Sequence, residues 1–299
     1  MTLRQTRMLL TLAALWGASF LFIRVAVDDL GPVALADARL LLAALALAPF
    51  LVAGARRTVP VRRYVLLGAV NAALPFTLIA LAETRLDASL AAILNASTPL
   101  FAAVVAAAVG DEPFTARRGF GLALGMGGVA VVVGLAHVDA DWAFVGAATC
   151  SLAAGLCYAL GSTYVRHRMA GEPAGALALF QQLAAGVVLL PLVAAFPPHR
   201  APDAGVVAAI AGLAFASTSI AFLIYFRLLA EIGPTSTLTV TFLVPVFGVL
   251  WATIFLGEQI TIGTLAGAAL ILASVRFVTS PVSRRPAPPP VPAPAPPSP

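Results

Sequence analysis

Ten apolar stretches, each close to the length that crosses a bilayer, follow one another along this chain with only short polar breaks between them. Spanning the ~30 Å hydrocarbon core takes about 20 apolar residues in a helix. The stretches fall at about 8–27, 32–52, 64–83, 88–109, 116–135, 142–165, 173–195, 205–229, 235–256 and 261–279. The breaks are Asp28-Asp29, Arg56-Arg57 to Arg62-Arg63, Thr84 to Asp87, Asp139 to Asp141, Arg166 to Arg168, Pro197 to Arg200, Glu231 to Pro234 and Gly257-Glu258. A soluble core stops growing near ~250–300 residues, and soluble domains carry about 25% charged residues. This chain of 299 residues is 61% hydrophobic and 10% charged, so lipid is its natural solvent. The expected fold class is all-α integral membrane, surrounded by the lipid bilayer, with no segment long enough for a separate soluble domain.

The net charge of +5 does not point to nucleic acid, because all 18 basic residues are Arg and they sit at helix ends rather than on one face. Arg4 and Arg7 ahead of an apolar run resemble a signal peptide, but further spans follow and the polar pattern of the first helix recurs later, so it is read as a retained span. If the N-terminus is cytoplasmic and ten spans alternate, the inner ends hold Arg4, Arg7, Arg56, Arg57, Arg62, Arg63, Arg117, Arg118, Arg166, Arg168, Arg227, Arg276, Arg284 and Arg285. The outer ends hold Arg85 and Arg200 alone. That asymmetry follows the positive-inside rule and predicts a multi-pass protein of the cell inner membrane with both termini cytoplasmic. The Pro-rich tail, 281–299, is expected to be a disordered cytoplasmic extension. Cys150 and Cys157 are spaced too widely for a CxxC redox pair and read as small buried residues.

An internal repeat organises these spans. With residues 34–49 laid over 176–191, Ala34-Leu35-Ala36 falls on Ala176-Leu177-Ala178 and Pro49 on Pro191; the same offset puts Trp16 on Tyr158 and Arg24 on Arg166. Four residues of insertion later, Pro99 matches Pro245, Glu112 matches Glu258 and Gly121 matches Gly267. Two five-helix units are therefore expected, 1–136 and 137–280. An odd helix count sends the second unit through the membrane the other way, giving an inverted-topology repeat of the kind common among secondary transporters. Rocking one half against the other exposes a central site to either side in turn.

At this point a family resemblance becomes specific. Helix 1 reads Ala14-Leu15-Trp16-Gly17-Ala18-Ser19-Phe20 with Arg24 beyond it, and helix 2 carries Pro32 and Arg39. Helix 4 reads Ser97-Thr98-Pro99-Leu100 and ends in Asp111-Glu112, while helix 9 reads Val244-Pro245-Val246-Phe247 and ends in Gly257-Glu258. Over roughly residues 8–279 the chain resembles the EamA-type permeases of the drug/metabolite transporter superfamily, with Asp111 standing where a glycine usually precedes the first glutamate. The resemblance implies ten helices in inverted halves around a central cavity, and small organic substrates that are often exported.

Polar groups inside a membrane are costly unless they find a partner or water. Those in mid-span are Asn71 and Thr77; Asn95, Ser97 and Thr98; Ser162; Gln181 and Gln182; Ser217, Thr218 and Ser219; and Thr237, Thr239 and Thr241. The candidate substrate-binding set is Trp16, Arg39, Asn71, Asn95, Thr98, Tyr158, Gln181, Ser217, Thr241 and Trp251, against the structural alternative of helix–helix hydrogen bonding, worth ~0.6 kcal/mol on average. Pro99 and Pro245 are expected to kink their helices and free the carbonyls of Asn95 and Thr241, so that Pro99→Ala and Pro245→Ala each reduce transport without blocking membrane insertion. Arg24 is expected to pair with Asp37 or to reach the headgroups, and Arg39 or Arg24 to attract a substrate carboxylate. Gln181 stands where Arg39 does in the first half, which suits a substrate with one charged end. Gly121 and Gly125, with Gly263 and Gly267, form two GxxxG pairs for close packing inside the monomer, a homodimer contact being the alternative.

Glu83, Asp87, Asp111, Glu112, Glu231 and Glu258 all read as end-of-helix carboxylates and the three His as loop residues. Without a carboxylate in mid-span, neutral or zwitterionic substrates are favoured over cationic drugs, proton-coupled multidrug efflux being the alternative. No HExxH, GxSxG or P-loop is present, so no enzyme, cofactor or metal is expected; the stretch His137 to Asp141 is read as solvated rather than metal-binding. A receptor or assembly factor without transport is the remaining class.

Overall fold

The computed structural model describes residues 2–51, 59–111, 113–136, 141–237 and 240–279, and every regular element among them is a helix. Helix α1 (Leu3–Leu30) opens on a capping box, in which Thr2 and Gln5 satisfy each other's backbone N–H groups. It ends at Gly31, whose φ of 73° only glycine adopts at no steric cost. Pro32 then starts α2 (Pro32–Leu51), where its missing N–H is not needed. Helix α3 (Val61–Gly68), a π-helical stretch Ala69–Ala73 and α4 (Leu74–Ala82) run on as one rod. Helices α5 (Ala88–Asn95) and α6 (Thr98–Ala108) are separated by a short break. After α7 (Ala116–Ala136) come α8 (Trp142–Arg168), capped by Asp141, and α9 (Ala174–Ala195). Helix α10 (Ala204–Ala211), capped by Asp203, passes through a second π-helical stretch, Gly212–Ile220, into α11 (Ala221–Thr237). Helix α12 (Val240–Trp251) ends in a third, Ala252–Leu256, and α13 (Ile262–Thr279) closes the described chain.

Among the described residues seven stretches are long and apolar enough to cross a membrane: Leu3–Leu30, Pro32–Pro49, Val61–Ala82, Ala88–Ala108, Trp142–Arg168, Ala174–Ala195 and Ala204–Tyr225. Leu243–Leu256 and Ile262–Val275 are shorter apolar helices. The fold is thus an all-helical, multi-pass membrane protein.

The helices pair across the midpoint of the chain: α1 with α12, α2 with α9, α4 and α6 with α8, and α7 with α13. Small residues make these approaches. A methyl group on Gly17 would lie 2.7 Å from Phe247 Cβ and 2.8 Å from the Gly248 backbone nitrogen, and one on Gly248 would lie 2.6 Å from Ala92 Cβ. Gly125 of α7 faces Leu100 and Ser274 of α13 just as closely. Gly121 and Gly125 lie on α7 and Gly263 and Gly267 on α13, two helices that pack on each other.

Contacts also tie the two ends of the bundle. At one end the Glu258 carboxylate accepts from the Ala88 and Ser89 N–H groups at 2.8 and 3.0 Å, capping α5 from across the molecule. There too the His199 and Arg200 N–H groups reach the Asp29 carbonyl at 2.8 and 3.0 Å. At the other end Arg166 and His167 both meet Asp111, Tyr64 donates to Glu172, and Arg63 donates to the Arg168 carbonyl.

Several expectations change. His167 belongs to the last turn of α8, not a loop. Arg24 pairs with Asp28 one turn on (3.0 Å) rather than with Asp37, because both lie on one face of α1. The two prolines are not equivalent: Pro99 lies in the first turn of α6, beyond a helix break, whereas Pro245 lies inside the unbroken α12. The Asn95 carbonyl is not freed, since the Thr98 hydroxyl donates to it at 2.7 Å. Glu112, Arg56, Arg57, His137 to Ala140, Thr239 and the Pro-rich tail 281–299 with Arg284 and Arg285 lie outside the described residues, as do the side chains of Thr237 and Arg276.

Candidate substrate-binding site

Polar side chains gather where two π-helical stretches face α2 and α9. In the first, Pro75 offers no N–H to the Asn71 carbonyl, and the turn widens so that Leu74 N–H reaches back to Ala69. In the second, the hydroxyls of Thr218 and Ser219 donate to carbonyls five residues back, Leu213 at 2.8 Å and Ala214 at 2.9 Å, sustaining the wide turns. Widened turns of this kind recur at functional sites.

Asn71 and Thr218, one on each wide turn, are each tied across the molecule. Arg39 of α2, 7% exposed, donates from Nε to Thr218 Oγ1 at 3.0 Å. Its guanidinium carbon lies 3.8 Å from the centre of the Phe76 ring, a cation–π contact that strengthens away from water. Phe76 in turn meets Tyr158 edge-on with centroids 6.5 Å apart. Asn71 Nδ2 donates to Gln181 Oε1 of α9 at 2.9 Å. Gly161 makes room for Asn71, since a methyl there would lie 2.3 Å from Asn71 Oδ1. Buried polar atoms without a hydrogen-bond partner include both terminal atoms of Gln182 and the hydroxyl of Ser217. An orphaned amide in an apolar span is the kind of group that a substrate's polar atoms satisfy.

Five predicted residues thus share this region through α2, α4, α8, α9 and the two wide turns: Arg39, Asn71, Tyr158, Gln181 and Ser217. The others are placed apart. Trp16 packs on Phe222 and Tyr225 at 6.4 and 5.6 Å, and Trp251 donates its indole N–H to the Ala14 carbonyl at 3.0 Å while packing on Phe247 and Phe255. These two form an aromatic layer between α1, α11 and α12. Thr241 lies on α12, half-buried. Asn95 and Thr98 flank the break between α5 and α6, with Thr98 against Gly155 of α8 and the amide nitrogen of Asn95 buried without a partner. A cavity of about 380 Å³ opens elsewhere, at the Arg4 end, lined by Leu3, Arg4, Arg7, Met8, Thr11 and Ile224; none of the predicted residues lines it.

Sequence reading missed Phe76, which orients Arg39, and misjudged two carboxylates. Glu83 is 0% exposed with neither carboxyl oxygen partnered, and Asp37 is 7% exposed with one oxygen unpartnered. Glu83 follows the last turn of α4 as expected, but it is fully buried, so an end-of-helix position is not a solvated one here. A signal did exist: the offset that joins the two halves sets Phe76 on Phe222 and Glu83 on Leu229, marking the first as shared and the second as peculiar to one half.

A helical bundle of apolar spans with polar side chains buried among them is an integral membrane protein, and its class comes from its relatives. The EamA-like transporter family matches residues 7–134 and again 146–280, and the chain belongs to that family. The uncharacterized inner membrane transporter YedA of Escherichia coli strain K12 is 26% identical over 280 residues, which cover 91% of this chain and 89% of that protein. A protein of Salmonella typhimurium named "Probable amino-acid metabolite efflux pump" is 26% identical over 277 residues, covering 89% of this chain and 91% of the relative. A crystal structure of a protein 18% identical superposes with a TM-score of 0.65, covering 92% of this chain and 97% of the other, and shows the same fold. The chain is a multi-pass transporter of the inner membrane rather than an enzyme.

Proposed function

We propose that the protein exports small neutral or zwitterionic organic metabolites, amino-acid-like or amphipathic, by alternating access between two inverted five-helix halves, with both termini in the cytoplasm. The observation that carries the substrate reading is Arg39. It is buried between the halves and spends one donor on Thr218, and its terminal nitrogens have no protein acceptor among the described residues. A guanidinium held this way is a fork waiting for a carboxylate. Gln182 and Ser217 offer neutral hydrogen bonds for the rest of a polar substrate, and the rings of Phe76 and Tyr158 a face for its apolar part.

The two-half reading is supported by pairs of contacts that fall at equivalent positions. Tyr158 meets Phe76 as Trp16 meets Phe222. Gln181 of α9 and Arg39 of α2 are equivalent by the repeat, and each reaches a wide turn, at Asn71 and at Thr218, residues one position out of register in the repeat. The double match of the family along the chain is consistent with it, and the arginine distribution orients it. The name of the Salmonella relative agrees with outward movement of amino-acid-like compounds.

The test is counterflow in proteoliposomes of the purified full chain, with labelled amino acids, their amides and aromatic amines offered in parallel. The reading expects exchange of zwitterions above protein-free liposomes. No exchange of any zwitterion, or exchange confined to cationic amines, sinks it.

A further inference from the structure

We propose that Glu83 is a proton-binding site tied to the outer end of the transporter: its carboxyl takes up one proton from the external water when that end closes and returns it when the end opens. The proposal rests on the transport reading above, whose orientation makes the Glu83 end the outer one.

Four observations lead to it. Glu83 has no exposure, and neither carboxyl oxygen meets a donor. A carboxylate cut off from both water and hydrogen bonds is the form that burial disfavours, so the neutral acid fits this place. The nearby groups offset a negative charge there only in part. Glu258, fixed by two backbone N–H groups at the start of α5, lies within electrostatic reach and disfavours a negative charge on Glu83. Arg24 of α1 is engaged by Asp28 at 3.0 Å, and Arg39 of α2 by Thr218 and Phe76. From α2 comes also Asp37, itself buried. Helix α8 presents Cys150, Cys157 and Tyr158, with Asp141 capping its start. The remaining charges are Arg85 and Asp87 just beyond Glu83 in its own chain.

Within electrostatic reach of Glu83 lies a contact that, in this proposal, opening breaks. The Glu258 carboxylate spans from the segment after α12 to the first N–H groups of α5. When those elements part, water reaches Glu83, and the vacated N-terminus of α5 favours an anion beside it. The closed form then holds one proton that the open form releases. The second half carries Leu229 at the position equivalent to Glu83, so the device exists at one end only and gives external pH, not internal pH, control of the gate.

The experiment uses the full chain with Cys150 and Cys157 replaced by alanine and one reporter, Ser89→Cys, buried under the Glu258 contact. Labelling by a membrane-impermeant maleimide is measured in outward-oriented liposomes and divided by that of an exposed control, Arg200→Cys, to cancel thiol ionisation. One linked proton raises the ratio by up to about tenfold per pH unit as external pH rises from about 5.5 to about 7.5. Glu83→Gln, which mimics the neutral acid, is expected to label slowly at every pH, and Glu83→Asp to keep a slope. A native ratio independent of pH overturns the proposal. So does a slope that survives in Glu83→Gln, or one that disappears in Glu258→Gln while persisting in Glu83→Gln. If Glu83→Gln fails to reach the membrane, the native chain and Glu83→Asp still decide, since a flat ratio in either refutes the site. Labelling needs no substrate, so a pH-dependent gate in liposomes that exchange no zwitterion counts against the transport reading and leaves the proton site standing.

Discussion

Replacing Arg39 by glutamine separates a substrate anchor from a structural arginine. Glutamine is what the second half carries at the matching position, and there Gln181 is accommodated by a hydrogen bond to Asn71. In the native protein Arg39 makes one charge-assisted bond, to Thr218, and rests on Phe76. If the terminal nitrogens receive a substrate carboxylate, two further charge-assisted bonds form, each worth about 1.5–3 kcal/mol. Taking about 3 kcal/mol for the pair, after the cost of stripping water from the carboxylate, the loss in affinity is roughly hundredfold at ~1.4 kcal/mol per decade. The assay is competition against counterflow by an amino acid and by its amide. The native chain is expected to prefer the acid, whereas Arg39→Gln loses about two decades for the acid and less than about threefold for the amide. Arg39→Lys keeps the charge without the planar fork and should fall between the two. Equal losses for acid and amide would show that Arg39 only holds the helices together, and the anchoring argument would fail.

Three further outcomes follow from other parts of the molecule. Gly17→Ala places a methyl group 2.7 Å from Phe247 Cβ and 2.8 Å from the Gly248 nitrogen; because backbone atoms must move, thermal unfolding in detergent should show a loss of about 1–3 kcal/mol, and an unchanged midpoint would contradict the close approach of α1 and α12. Asn71→Ala and Gln181→Ala should be less damaging together than the sum of the two alone, with a coupling of about 1 kcal/mol in a double-mutant cycle on stability; strict additivity would mean that the bond between the halves contributes nothing. Glu231, beyond the apolar window of its helix, is held below its usual value of 4.5, first by its hydrogen bond from Arg227 and also by the charge of Arg4. A lowered carboxylate adds stability that is present above its ordinary value and lost as pH falls through the lowered one. Acid titration of unfolding should therefore show a small loss below about pH 4.5 that Glu231→Gln removes; a loss of equal size in the variant would assign it elsewhere.

Much of the fold was legible because membrane spans obey one dominant rule. Apolar length located the helices, and caps such as Thr2, Gly31 and Asp203 explain why several run past their apolar cores. The site was legible only in part. Arg39, Asn71 and Gln181 stood out as groups too polar for lipid, and they do meet one another's helices. Phe76 did not stand out, because a phenylalanine in an apolar span is unremarkable until a guanidinium is seen lying on it. The π-helical turns were equally hidden: Pro75 after Asn71 and the run of hydroxyls at Ser217 to Ser219 mark no register shift until the backbone shows it. Glu83 was misjudged for a topological reason. Distance from the middle of a span predicts solvation only where nothing covers the helix end, and Glu83 is fully buried, near a contact that joins Ala88 to Glu258 across 170 residues.

The departures from symmetry say more about function than the symmetry itself. Where the sequence repeat agrees, as at Tyr158 on Phe76 and Trp16 on Phe222, the contacts are rings, and in the proposed inverted arrangement these suit a hinge that looks alike from both sides. Where they differ, charge is involved: Arg39 against Gln181, and Glu83 against Leu229. Both charges belong to the first half and lie within electrostatic reach of each other. An ionised Glu83 therefore partly offsets Arg39, and a protonated one leaves the guanidinium as the stronger attractor of a carboxylate. Closing the end that buries Glu83 would then raise the affinity of the neighbouring site for an anionic group, and opening it would lower that affinity where release is required. A symmetric rocking frame gives no direction by itself. On the alternating-access proposal, one unmatched acid within reach of one unmatched base makes the two ends unequal, and the gradients then set the net direction.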